Sequence, residues 1–260
     1  GGAAWEAVSL RIAREKDDET VTQLLAGVAL ETARRGGRML LARSPESSPH
    51  AAAIRRGGVM AVRLERLFAV PLSPRPAETP FRPATRADRH GVFRLYCRAV
   101  PEHVRRQEAT TQQEWRAILD SYDCEREVVL DYDGALCTWI GFGERESRIL
   151  DAGGHEGTME AALDAIESAG PRHGTLVLGE DQVTLERIAL ARGYEPLGVR
   201  LVCARRLAQL DSLKEVAAVP AESLALIGLI EVLPHLPRLF ALRADIERRL
   251  LERDPDVFVG

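Results

Sequence analysis

The chain has 260 residues, 45% of them hydrophobic, and a formal net charge of -4. That suffices for one large domain or two small ones with cores of their own, and it gives no bulk-charge signal for nucleic acid or an anionic membrane. No apolar run reaches the ~18 residues of a membrane span, no secretory leader is visible, and the four cysteines form no CxxC pair or zinc-ligand spacing. A cytoplasmic protein with buried free thiols and no metal site is expected.

The chain opens Gly1-Gly2 instead of with Met, which suggests a processed or fragmentary N-terminus. Val21, Leu24, Leu25, Val28 and Leu30 recur at helical spacing, and Gly36-Gly37 ends that helix. Met39 to Ala42 reads as a short strand, Ala51 to Ile54 as a short helix stopped at Gly57-Gly58, and Met60 to Leu67 as a strand. Pro71 to Pro83 carries five of the fourteen prolines and reads as a linker. Arg86 to Ala99 follows as a helix with Val92, Phe93, Tyr96 and Cys97 inward. Thr110 to Ile118 is another, with Thr110-Thr111-Gln112-Gln113 as a cap in which a Gln reaches back. Val128 to Leu130 and Ala135 to Phe142 form two strands about a turn at Asp133-Gly134. A helix opens at Thr158 with Met159, Ala162, Leu163 and Ile166 on one face, and Gly170-Pro171 closes it. Thr175 to Leu178 is a buried strand. Leu185, Ile188, Ala189 and Leu190 make a helical face stopped at Gly193, and Gly198 to Ala204 is a last strand.

The second half of this pattern repeats the first at an offset of about 137 residues. Arg11-Ile12 falls on Arg148-Ile149, Gly37 on Gly174, Leu40 on Leu176, Gly57 on Gly193, and Val62-Arg63-Leu64 on Val199-Arg200-Leu201. The reading is a half copy over 1–70, a linker over 71–79, a complete copy over 80–210 and an extension over 211–260. The missing half of the first copy leaves a sheet edge. Either the natural chain extends upstream of Gly1 or another element covers that edge.

The order of elements resembles the GNAT acyltransferase superfamily. Phe81-Arg82-Pro83-Ala84-Thr85-Arg86-Ala87-Asp88 is similar to its opening strand-to-helix corner, and Ala191-Arg192-Gly193-Tyr194-Glu195 to its late corner. The resemblance implies an α/β (α+β) fold with a mixed sheet flanked by helices, in tandem with a partial first domain. It also implies acetyl-CoA or another acyl-CoA as cofactor and a small-molecule or peptide amine as acceptor, with neither nucleic acid nor membrane as partner. The acyl-CoA diphosphate would sit on a helix N-terminus, where free N–H groups and the helix dipole favour an anion. In the second copy that places Gly153, Gly154, Gly157 and Thr158 at the cofactor, with the backbone of Ile149 and Leu150 along its pantetheine arm. Glu144 and Asp151, at the fourth strand, stand where the family often places a general base.

The signature is degenerate. Asp151-Ala152-Gly153-Gly154-His155-Glu156-Gly157-Thr158 keeps glycines but neither the family's spacing nor its leading basic residue, and Asp151 and Glu156 oppose a diphosphate. It is either an anion nest or an ordinary glycine-rich turn. The first copy offers no glycine in Arg14 to Thr20, and the family's acid Tyr is replaced by Ala189 in the second copy. Two functions therefore stand open: N-acyl transfer, or a catalytically silent binding or assembly module.

The extension reads as helical. Ala221 to Val232 is almost wholly apolar and Leu239 to Leu251 amphipathic, with Pro234 and Pro237 between them. A cap over the incomplete copy and a homodimer contact are the two roles open to it.

Overall fold

The computed structural model describes residues 4–10, 18–71, 79–122, 124–152, 155–169, 174–207 and 230–234. The predicted linker at 72–78, Gly153-Gly154, the segment 11–17 and most of the extension lie outside the described residues. The protein is a mixed α/β fold, and the chain divides into two compact units. The first contains Gly1–Ala42, Pro49–Met60 and Ala204–Gly260; the second contains Arg43–Ser48 and Ala61–Cys203.

In the first unit, β1 (Ala4–Leu10) runs parallel to β2 (Met39–Pro45), with Ala4 opposite Met39 and Ala7 opposite Ala42. The connecting helix α1 (Asp18–Arg34) buries Val21, Leu24, Leu25 and Ala29, the predicted apolar stripe. Helix α2 (Ala51–Arg56) is tied to its start, where Arg56 Nη2 donates to Asp18 Oδ2 at 2.7 Å. Gly37 has a packing role: a Cβ there would lie 2.5 Å from Thr32 Cγ2 and 2.8 Å from Trp5 Cδ1.

Residues Ile230–Pro234 pair antiparallel along β1 as a strand, with Trp5 opposite Pro234. The expected apolar helix over 221–232 is thus corrected at its C-terminal end. Ile-Glu-Val-Leu-Pro is β-branched and short, and an unpaired strand edge offers the hydrogen bonds that a helix ending at Pro234 would forgo. An element of the extension thereby covers the exposed edge of the half copy.

The second unit takes in β3 (Met60–Ala69), β4 (Arg82–Pro83), β5 (Cys124–Tyr132), β6 (Ala135–Gly143), β7 (Glu146–Asp151), β8 (Thr175–Gly179) and β9 (Glu195–Arg206). Their spatial order is β9-β3-β8-β7-β6-β5-β4. Asp133 and Gly134 at the β5–β6 turn have φ of 50° and 73°, the left-handed pair that a two-residue hairpin needs. On one face, α6 (Glu156–Ala169) and α7 (Val183–Ala191) bury Leu163, Ile166, Leu185 and Ile188 against Ile140, Ile149, Leu176 and Leu178. The helices α3 (Arg89–Ala99), α4 (Glu102–Glu108) and α5 (Gln112–Ser121) complete the unit.

Three local readings are corrected. Leu95, not Phe93 or Cys97, completes the buried stripe of α3 with Val92 and Tyr96. The cap of α5 is Thr111 with Glu114 reaching back, because Glu114, not a Gln, falls three residues after the cap. Leu190 is exposed, since it lies past the buried arc of α7. The helix α4 is an addition, about two turns anchored by Val104 and Glu108.

Candidate functional site

The two carboxylates expected at the reaction centre lie at opposite ends of one strand. Glu144 is exposed in the turn before β7, and Asp151 closes β7 on the order of 20 Å away along the strand direction. They therefore form no acid–base pair. Asp151 is buried; its Oδ2 accepts from Thr138 Oγ1 at 2.6 Å and from Thr158 Oγ1 at 3.1 Å. Thr158 is in the first turn of α6, so the end of that helix meets the protein's own carboxylate. Glu156 adds a second acid there, paired with Arg187 at 2.7 Å. Gly157 is open, with nothing within 4 Å of a Cβ built on it.

The strands β7 and β8 run parallel and pair through three positions, ending at Arg148 opposite Val177. Beyond that rung both strands continue, β7 through Ile149, Leu150 and Asp151, and β8 through Leu178 and Gly179. One side chain bridges the gap. Gln182 Nε2 donates to the Ile149 carbonyl at 3.0 Å, and Gln182 Oε1 accepts from the Gly179 amide at 2.8 Å. A primary amide thus replaces a missing piece of ladder by satisfying one backbone acceptor and one backbone donor. Acyl-CoA would meet two obstacles among these described residues. A diphosphate at α6 would approach Asp151 and Glu156, and an arm along β7 would find the Ile149 carbonyl already bonded.

Strand alternation places Glu146, Arg148 and Leu150 on the sheet face opposite the α6–α7 core. There the unit holds a buried ion network. Glu65 of β3, 1% exposed, is 2.6 Å from Arg148 Nη1, 2.7 Å from Arg200 Nη2 and 3.3 Å from Arg63 Nη2, with Arg43 at 3.9 Å. Burial alone would push the Glu65 carboxyl up. The guanidinium charges, Arg148 foremost, overcome this and hold it well below its ordinary value. Glu146 bonds Arg200 and Arg148, and Glu108 faces Arg63 Nε at 3.2 Å.

A small, partly open cavity of about 30 Å³ lies at the split between β7 and β8. Its charged and polar lining includes Arg63, Glu65, Arg148, Tyr122, Asp181 and Gln182; Trp115 and Trp139 supply aromatic wall. Trp115 stacks on Tyr96 with centroids 3.9 Å apart and meets Tyr122 edge-on at 6.3 Å. The guanidinium of Arg148 lies 4.1 Å from the centre of the Tyr122 ring. Burial pushes the Asp181 carboxyl up, against its own backbone N–H and the charge of Arg63.

Of the residues expected at the site, only Ile149 and Leu150 line this cavity. Asp151 and Thr158 meet on the α6 side, Gly157 is nearby on α6, Glu144 is remote, and Gly153 and Gly154 lie outside the described residues. Arg63, Trp115, Tyr122, Asp181 and Gln182 were missed. One signal was available: Glu180-Asp181-Gln182 follows a short buried strand directly, and ligands in α/β sheets gather at the carboxyl ends of strands. Among the described residues, no three His, Cys, Asp or Glu side chains gather as metal ligands, and no helix is long and apolar enough to cross a membrane.

Comparison with known protein families finds no match. The chain is 34% identical over 137 residues to a lipid-A-disaccharide synthase of Xanthomonas campestris pv. campestris, covering 46% of this chain and 30% of that protein. A lipid-A-disaccharide synthase of Alkalilimnicola ehrlichii is 54% identical over 41 residues, 16% of this chain and 11% of that protein. The chain thus spans less than a third of the length of these curated relatives. Among solved structures, a GCN5-related N-acetyltransferase from Kribbella flavida aligns over 79% of this chain and 82% of its own, at 16% identity and a TM-score of 0.46. A tandem GNAT protein from the clavulanic acid biosynthesis pathway aligns over 79% and 76%, at 14% identity and a TM-score of 0.42.

Proposed function

We propose that the second unit is a GNAT-like module that binds a small molecule in the β7–β8 cavity and does not transfer acyl groups from acyl-CoA. The observation that carries this reading is the Gln182 bridge. Its side chain holds the Ile149 carbonyl and the Gly179 amide across the split, where a GNAT-type cofactor arm would need the strand backbone free. The Asp151 carboxylate at the first turn of α6 adds to it by opposing an incoming anion. What supports the GNAT-like assignment is the order of elements, the Arg82–Asp88 and Arg192–Glu195 corners, and a parallel pair that opens beyond its third rung.

Calorimetry with acetyl-CoA on the folded chain tests it. No saturable heat is expected up to roughly 1 mM, a range in which binding would be worth about 4 kcal/mol. Saturable binding, with turnover on a panel of amines, would overturn the module reading. A second reading, N-acyl transfer to a small-molecule or peptide amine, is favoured by one observation: β7 and β8 both continue past Arg148 and Val177 without pairing.

A further inference from the structure

The split between β7 and β8 is closed by the protein's own amide. The free space beside it is about 30 Å³, room for about one water, so nothing larger enters while Gln182 stays in place. Gln182 lines that space from the N-cap position of α7. Its backbone is anchored: the N–H donates to the Gly179 carbonyl and the carbonyl accepts from the Glu186 amide, each at 3.0 Å. Its side chain is held by less. Among the described residues its hydrogen bonds are two, one to the Ile149 carbonyl and one from the Gly179 amide. Both partners are backbone groups that an amide of another molecule would satisfy equally, with one N–H to give and one carbonyl to accept. The charges nearby are already met, Arg148 by Glu65 and Glu146, Arg63 by Glu65 and Glu108. The split therefore gives no unmatched charge to an ion and two directed bonds to a neutral amide.

We infer that the Gln182 carboxamide is an autoinhibitory plug, which occupies the place of a ligand's uncharged amide and must swing out before one binds between β7 and β8. Two hydrogen bonds are released and two are formed, and the freed carboxamide passes to solvent. With the plugged form favoured about tenfold or more, the apparent affinity of the wild-type chain falls by the same factor. This inference rests on the reading of the unit as a small-molecule binder and adds how its site is opened.

Gln182→Ala removes the plug and tests it. The probes are N-methylacetamide, which has both groups, and N,N-dimethylacetamide, which has no N–H, each titrated to roughly 0.1 M. Melting temperature and hydrogen exchange at the Gly179 amide are read in the variant and in the wild-type chain. N-methylacetamide is expected to stabilise the variant and slow that exchange, with a midpoint at least about tenfold lower than any effect on wild type. N,N-dimethylacetamide is expected to do neither. Equal responses of the two proteins, equal responses to the two amides, or no response of the folded variant overturns the inference. If Gln182→Ala does not fold, the wild-type chain decides. Its Gln182 side-chain N–H protons should exchange faster as N-methylacetamide rises, and unchanged exchange up to roughly 1 M overturns the plug. Acetyl-CoA run on wild type tests the module reading separately. Its binding would overturn that reading, and the amide response of Gln182→Ala would still decide this one.

Discussion

Glu65 shows most clearly what a single residue decides here. It lies in an alternating strand, Val62-Arg63-Leu64-Glu65-Arg66, where a charge ordinarily faces water. Its burial among Arg63, Arg148 and Arg200 comes from three strands far apart in sequence, so nothing local announced it. The offset of the repeat did align Arg63 with Arg200, and both side chains reach Glu65. Removing one charge from such a network leaves its partners buried and uncompensated. Glu65→Gln should cost about 3–5 kcal/mol, read as a lower urea midpoint at constant slope. The sign of the pH dependence follows from the direction of the shift. The folded carboxyl titrates below the unfolded value of 4.5, so its stabilisation is full above that value and is lost as pH falls through the folded one. Melting temperature should be flat at neutral pH and drop on acidification below roughly 4.5. The Glu65→Gln variant should lose part of that acid limb.

Elements were legible where periodicity and end signals agreed, and α5 and the β7–β8 pair mark the two outcomes. A cap before α5 was readable from Thr110-Thr111, and the structure refines it to Thr111 Oγ1 accepting from the Glu114 amide at 3.2 Å. Thr111→Ala should destabilise by about 1 kcal/mol in chemical denaturation, within the usual range for caps. For β7 and β8 the sequence indicated two strands but not where their ladder stops. That depends on Gln182, whose amide joins Ile149 to Gly179 across a gap made by tertiary packing. Gln182→Ala should cost about 1–3 kcal/mol, because it orphans a donor and an acceptor together. Hydrogen exchange at the Gly179 amide should accelerate with it. An unaltered exchange rate would show that the bridge does not hold the split. The stretch at Ile230–Pro234 went the other way: read as the end of an apolar helix, it is a strand because β1 offers it an edge.

At the scale of the molecule, the order β-α-β-α-β occurs twice, as β1 to β3 and as β7 to β9. Yet β3 belongs with the second unit, pairing antiparallel with β8 from Glu65 opposite Gly179 to Ala69 opposite Thr175. A chain cut to residues 79–207 would therefore lack β3 and Glu65, expose the edge of β8 and leave Arg148 and Arg200 with Glu146 as their one shared partner among the described residues. Expressed alone it should be insoluble or lack near-ultraviolet circular dichroism, while residues 1–207 retain both strand and signal. A cooperatively folded 79–207 fragment would refute this dependence on β3. By itself the sequence determined most of the helices and strands from β2 to β9, the main apolar stripes and where glycines end the helices, because these follow from local sterics and from periods of 3.6 and 2. Only the tertiary structure decided which strand lies beside which, where the β7–β8 ladder opens and which side chains meet in the cavity. Backbone hydrogen bonds between strands are blind to sequence, and an ion network joins charges whose partners lie a hundred residues away.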